Sequence, residues 1–206
     1  STWGKDREGY FAYNAIETPE WLNMGGDLRA LQLYQNNSKF EEARFIWMQM
    51  DLETSVTIGK YIVDASYGLQ QNDKSNDPKR DEFISRRHYV MYKAGDNTSV
   101  RFGRFFPAYG IGWPDHDISI KKGLNFDQGG ETYNLELYYL KDKFEGYLTG
   151  IFGRIDDPTV NKGRDHGIAI SQNYILNDKA KIGLDYLRAN SEAYKRELFG
   201  AHALVG

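Results

Sequence analysis

Lys143-Phe144-Glu145-Gly146-Tyr147-Leu148-Thr149-Gly150-Ile151-Phe152-Gly153-Arg154 separates by parity: positions 144, 146, 148, 150 and 152 are Phe, Gly, Leu, Gly and Phe, while Lys143, Glu145, Tyr147 and Thr149 hold odd positions. A period of two marks a strand, because successive side chains point to opposite faces, whereas a helix repeats every 3.6 residues. One face is therefore apolar and the other mostly polar. The design recurs on both sides of this segment. Upstream, Tyr133, Leu135, Leu137 and Tyr139 oppose Thr132, Asn134, Glu136 and Tyr138. Downstream, Ile168, Ile170, Tyr174 and Leu176 oppose Gly167, Ala169, Ser171 and Asn173, and Ala180, Ile182, Leu184 and Tyr186 oppose Lys181, Gly183 and Asp185.

Further strands are expected near residues 27–36, 42–52, 55–69, 82–93, 98–106 and 196–205, with less regular faces. Arg86, Arg87 and His88 interrupt both sides of theirs. Residues 1–25, with Thr18-Pro19-Glu20 and the pair Gly25-Gly26, read as an N-terminal arm, and residues 26–206 as the β domain. The connections alternate between long polar stretches (71–81, 107–130, 155–163) and tight ones at Gly95-Asp96-Asn97, Lys141-Asp142-Lys143 and Asn177-Asp178. A hairpin meander produces this when one end of the sheet carries turns and the other carries loops. Pro19, Pro78, Pro107, Pro114 and Pro158 all fall outside the strand interiors, where a proline would remove a ladder donor. No repeat of 20 to 50 residues is visible, which argues against solenoids and propellers.

Composition narrows the classes. A chain of 206 residues suits one domain or a barrel of moderate strand number. The absence of cysteine removes disulfide scaffolds, thiolate metal sites and thiol nucleophiles. Lys and Arg number 26 against 29 Asp and Glu, so there is no basic excess to neutralise a phosphate backbone, and nucleic acid is not an expected partner. The longest apolar runs, such as Phe45-Ile46-Trp47-Met48, fall far short of the ~20 residues a membrane-crossing helix needs. A content of 15 Tyr, 11 Phe, 4 Trp and 21 Gly with 5 Pro agrees with strands.

Periodicity alone does not say whether the apolar face looks inward at a core or outward at lipid. A soluble antiparallel barrel or sandwich is the competing architecture. Three features favour lipid. Phe144 and Phe152 lie eight positions apart on one face, which at ~3.3 Å per residue is about 26 Å of strand and about 20 Å after a tilt of ~40°, near the spacing of two aromatic girdles. The polar faces hold Gly, Ser, Asn and Thr besides ions, as a wet lumen would. The asymmetry of loops and turns is the habit of barrels inserted from one side. The expected fold is thus all-β: an up-and-down antiparallel transmembrane β-barrel with about ten strands visible, either whole or part of a larger barrel. It requires Tyr133, Leu135, Phe144, Leu148, Ile168 and Ile182 to face outward.

From about Gly26 to Gly206 the meander resembles a bacterial outer-membrane β-barrel of the porin-like type, and Val100-Arg101-Phe102-Gly103-Arg104-Phe105-Phe106-Pro107-Ala108-Tyr109-Gly110 is similar to strand-to-loop phrases of that family. Many such barrels end in an aromatic residue, whereas this sequence ends Leu204-Val205-Gly206, which leaves a longer barrel open. The resemblance implies an outer-membrane location and a channel for small solutes or ions. It also implies a lipid bilayer around the chain, and a homo-oligomer or an envelope protein as partner. A structural barrel that anchors or contacts a partner is the alternative.

Channels of this type restrict their lumen with charged residues. Arg86, Arg87, Arg101 and Arg104 are the candidates for a basic wall, and Asp115 and Asp117 of the following loop for an opposing acidic rim. The competing reading pairs the arginines with carboxylates such as Glu131 or Glu136, so that no charge is left alone. Asp115-His116-Asp117 also admits a surface hydrolase of the barrel-protease type, although neighbours in an irregular loop need not converge into a base and its orienter. Phosphate-loop, dinucleotide, nucleophile-elbow and zincin motifs are absent, and no catalytic residue, metal or cofactor is expected.

Overall fold

The computed structural model describes residues 10–11, 16–36, 41–71, 81–110 and 130–205. Among them the chain is almost entirely strand. β1 (Tyr10–Phe11) and β2 (Ile16–Glu17) form a small antiparallel pair. The remaining strands are β3 (Leu22–Asn36), β4 (Glu41–Ile58), β5 (Tyr61–Gln71), β6 (Asp81–Lys93), β7 (Thr98–Phe105), β8 (Thr132–Lys141), β9 (Phe144–Phe152), β10 (His166–Asn177), β11 (Ala180–Asn190) and β12 (Lys195–Val205). They make one 10-stranded sheet in which hydrogen-bonded neighbours follow chain order from β3 to β12. The sheet is not closed into a barrel: among the described residues β3 and β12 are its two edges.

Two boundaries differ from the sequence reading. The break expected after residue 52 falls instead at Gly59-Lys60, so β4 runs unbroken through Glu53 and Thr54. Gly59 takes a φ of 58°, which glycine adopts at no steric cost, and that sets a two-residue hairpin turn. β3 begins at Leu22, with its first backbone donor closing on the Pro19 carbonyl at 2.8 Å.

The chain divides into two compact units, residues 1–57 with 64–86, and residues 58–63 with 87–206. In the first, β3 pairs with β4 from Leu22↔Val56 to Asn36↔Glu41, with a register shift between Arg29 and Ala30. Asp51, Asp64, Ser66 and Arg86 are buried, while Leu28, Tyr34, Phe45, Met50 and Phe83 are exposed.

The second unit holds the four most regular strands. β8 to β12 pair without a crossover, with Glu136↔Thr149, Leu148↔Ile170, Ser171↔Asp185 and Asp185↔Gly200 in register. Its two faces are inverted relative to a sheet packed on an apolar core. Phe144, Leu184 and Phe199 are 62%, 69% and 77% exposed, whereas Asn134 and Thr149 are 0% and Glu136 1% exposed. Of the six residues required to face outward, Leu135, Phe144, Leu148, Ile168 and Ile182 are exposed and Tyr133 is half-buried. Asp185 on the opposite face is buried and Glu145 half-buried. A contiguous exposed face of this kind is far outside what scattered surface apolar residues produce.

Candidate functional site

The polar face of the second unit is where chemistry-bearing side chains converge. Arg101 on β7 stands in register with Glu136 on β8, which is in turn opposite Thr149 on β9. The Arg101 Nε–H donates to Glu136 Oε1 at 2.7 Å, and the Thr149 hydroxyl donates to the other carboxylate oxygen at 2.9 Å. The Arg101 guanidinium lies 4.1 Å from the Phe105 ring centroid and 5.3 Å from that of Tyr89. Two aromatic faces and a carboxylate thus balance its charge, which weakens any field it projects. Arg104 donates to Glu131 at 3.1 Å, and both residues are buried. Register places Arg104 in the row of His88 and Tyr133, whose ring nitrogen and hydroxyl are 2.9 Å apart. That row has opposite parity to Arg101.

Arg101 and Arg104 therefore do not share a face of β7. Arg86, in the first unit, turns to Asp51, with Nε at 2.9 Å and 2.7 Å from the two carboxylate oxygens. Gly68 makes room for this: a Cβ there would sit 2.2 Å from Asp51 Oδ1. The Arg86 Nη1 and Nη2 atoms are buried without a hydrogen-bond partner. Arg87 is half-buried in the second unit. Along β6 the exposed apolar side chains among the described residues are Phe83 and then Val90 and Tyr92, odd before even, so the apolar alternation changes phase across Arg86-Arg87-His88. This is the interruption visible in the sequence. Asp115, His116 and Asp117 lie outside the described residues.

The chain leaving β7 turns back over this face. Phe105 and Pro107 are buried, and Tyr109 packs on the apolar cluster of Ile151, Ala169, Leu187 and Ala189, with Leu198 beside it. A Cβ added at Gly200 would lie 3.1 Å from the Tyr109 hydroxyl and 3.3 Å from Asp185 Oδ2, so both groups converge on the bare backbone there. Burial raises the Tyr109 pKa above the ordinary phenol value, the Asp185 charge adds to the rise, and Arg196 opposes it.

A second constellation has no counterpart among the sequence candidates. His202 on β12 sets Nδ1 2.7 Å from Asp185 Oδ2 and Nε2 2.9 Å from Asn173 Oδ1. The Asn173 amide donates to Glu145 Oε2 at 3.0 Å, Lys181 reaches the same oxygen at 3.3 Å, and the Tyr147 hydroxyl donates to Oε1 at 2.8 Å. Asn173, Gly183 and His202 stand in one row across β10, β11 and β12. Side chains two strands apart meet only because the middle residue has none: a Cβ on Gly183 would lie 2.3 Å from Asn173 Oδ1 and 2.4 Å from His202 Nε2. Both ring nitrogens of His202 are directed at protein oxygens, so the ring is held within the sheet's own hydrogen-bond network. Among the described residues no three His, Asp or Glu side chains are grouped to hold a metal ion.

At the loop end, Arg154 grips Asp156 through two hydrogen bonds of 2.8 and 3.0 Å, holding that carboxyl below its usual range. Asp157 is also lowered, chiefly by the Thr159 hydroxyl and then by the Val160 backbone N–H. It caps the single helical turn Pro158–Asn161. No protein-family model matches the chain, and no curated protein shows significant similarity to it.

Proposed function

We propose that the chain spans a bacterial outer membrane as a β-barrel, or as the wall of one, and serves as a porin-like channel for small solutes or ions. The observation that carries this reading is the inverted sheet. An apolar side chain left half in water forfeits on the order of 1 kcal/mol, and the second unit holds many of them on one face while enclosing Asn134, Glu136, Thr149, Asn173 and Asp185 on the other. Hydrocarbon as the surrounding solvent reverses the sign of that term. In hydrocarbon no ladder edge stays unpaired, so the reading requires strand partners for the edges of β3 and β12. Within a channel, the strap of residues 106–110 narrows the passage, and Tyr109 is its widest side chain against the wall.

A structural barrel is the second reading, and a specific observation favours it. Asn134, Glu136 and Thr149 are almost wholly buried, and the inner charges are paired. A barrel of about eight strands fills its own interior in this way, whereas about sixteen leave an aqueous channel. Two measurements separate the possibilities. Purified protein that requires detergent and migrates differently on gels before and after heating supports the membrane reading; a monodisperse, detergent-free protein overturns it. In planar bilayers, discrete current steps that grow in Tyr109→Ala support the channel. Their absence from correctly inserted protein leaves the structural barrel.

A further inference from the structure

We propose that the tight-turn end of the second unit is a docking surface for an anionic phospholipid headgroup layer; this rests on the membrane-spanning reading and adds a lipid partner and an orientation to it. Four turns make up this end, at residues 59–60, 94–97, 142–143 and 178–179. Backbone hydrogen bonds lace them into one rim. Lys93 N–H donates to the Lys60 carbonyl at 2.8 Å, Leu140 N–H to Asn97 at 2.9 Å, and Ile175 N–H to Lys143 at 2.8 Å.

Each turn carries a lysine in it or next to it: Lys60, Lys93, Lys141 with Lys143, and Lys179, all exposed. None makes an ion pair among the described residues; Lys143 donates only to the Leu176 carbonyl, at 3.4 Å. Against these five stand three aspartates, Asp96, Asp142 and Asp178, so the rim is locally cationic on a chain whose formal net charge is -3. At the loop end Arg154 is held by Asp156 and Arg196 by Asp165, and the exposed Lys162 and Lys195 are matched in number by Asp157 and Glu192.

Just inside the lysines lies a belt of exposed rings. Tyr61 and Tyr92 stack with centroids 5.1 Å apart, Phe144 and Tyr174 likewise at 5.1 Å, and Tyr139 is exposed between them in sequence. Amphipathic rings settle at the boundary of hydrocarbon and headgroups, and lysine stems extend from that depth to place their ammonium groups among the phosphates. The spacing of rings and lysines thus defines one level for the headgroup layer, and the charge excess selects an anionic one.

The test follows insertion of the urea-unfolded full chain into phosphatidylcholine vesicles with and without phosphatidylglycerol, read as the heat-modifiable gel band. Wild type inserts into both, faster with phosphatidylglycerol, and high salt abolishes the difference. Lys141→Gln with Lys143→Gln inserts into phosphatidylcholine as wild type does but loses the phosphatidylglycerol advantage, by about fivefold for each lysine before the aspartates are counted. Should that pair fail to insert at all, Asp96→Asn with Asp178→Asn supplies the opposite arm and must increase the advantage. An advantage unchanged in both variants overturns the proposal while the membrane reading stands. Failure of wild type to insert into either vesicle overturns the membrane reading itself.

Discussion

Leu148→Arg tests the orientation of the sheet at its most informative point. Leu148 is exposed on β9 and registers with Leu137 on β8 and Ile170 on β10, in the apolar row. It lies midway between Phe144 and Phe152, the two exposed rings at the ends of the strand. Four residues at ~3.3 Å each give about 13 Å of strand and about 10 Å of depth at a tilt near 40°. That puts Leu148 close to the middle of an apolar band. A lipid-facing arginine at the midplane costs about 2–4 kcal/mol, falling to about 0–1 kcal/mol near the interface. On a water-facing surface the same substitution stays within about 0.5 kcal/mol. The assay is reversible denaturant unfolding from lipid vesicles, monitored by tryptophan fluorescence and gel mobility. Phe144→Arg serves as the shallow comparison, with the loss of its Tyr174 ring contact, about 0.5–1.5 kcal/mol, allowed for. A folded Leu148→Arg protein with wild-type stability refutes the reasoning, because the exposed face would then be looking at water.

Other consequences concern the opposite face and the loop. Gly183→Ala forces a methyl between Asn173 and His202 and should lower stability by about 1–3 kcal/mol, seen as a shifted denaturation midpoint. Gly146→Ala, with nothing within 4 Å of the added atom, should not share that loss. Glu136→Ala leaves Arg101 without its carboxylate and should cost about 3 kcal/mol, most of it recovered when Arg101→Met is combined with it in a double-mutant cycle. The carboxyls of Asp156 and Asp157 titrate below their ordinary value, so their contribution is complete above about pH 3.9 and is lost as pH falls through the lowered values. Protection of the Thr159 and Val160 amides, taken relative to the intrinsic exchange rate at each pH, should fall in that acid range, and Asp157→Ala should abolish that fall.

Strand identity was legible because it is local. The alternation in Phe144-Glu145-Gly146-Tyr147-Leu148 needs no partner to be read, and the observed bounds of β8 to β12 lie within about two residues of those expected. Two boundaries were misplaced: β3 starts at Leu22 instead of near residue 27, and the break expected after residue 52 lies at Gly59-Lys60, where the chain turns through a backbone conformation open to glycine. The pairing of Arg101 with Glu136 and of Arg104 with Glu131 was one of two readings the composition allowed. Nothing in the sequence ties Glu145, Asn173 and His202 together, since they lie on strands whose register is decided by long-range pairing.

Residue order alone thus determined where the strands run and which side chains share a face, because pleating imposes a period of two on any strand. Tertiary structure decided which face is enclosed, because an alternating pattern reads identically from either side. It also decided which polar side chains meet, because a salt bridge or hydrogen bond between strands depends on their register and on a bare glycine, Gly68 beside Asp51 or Gly183 between Asn173 and His202, that leaves room for the contact.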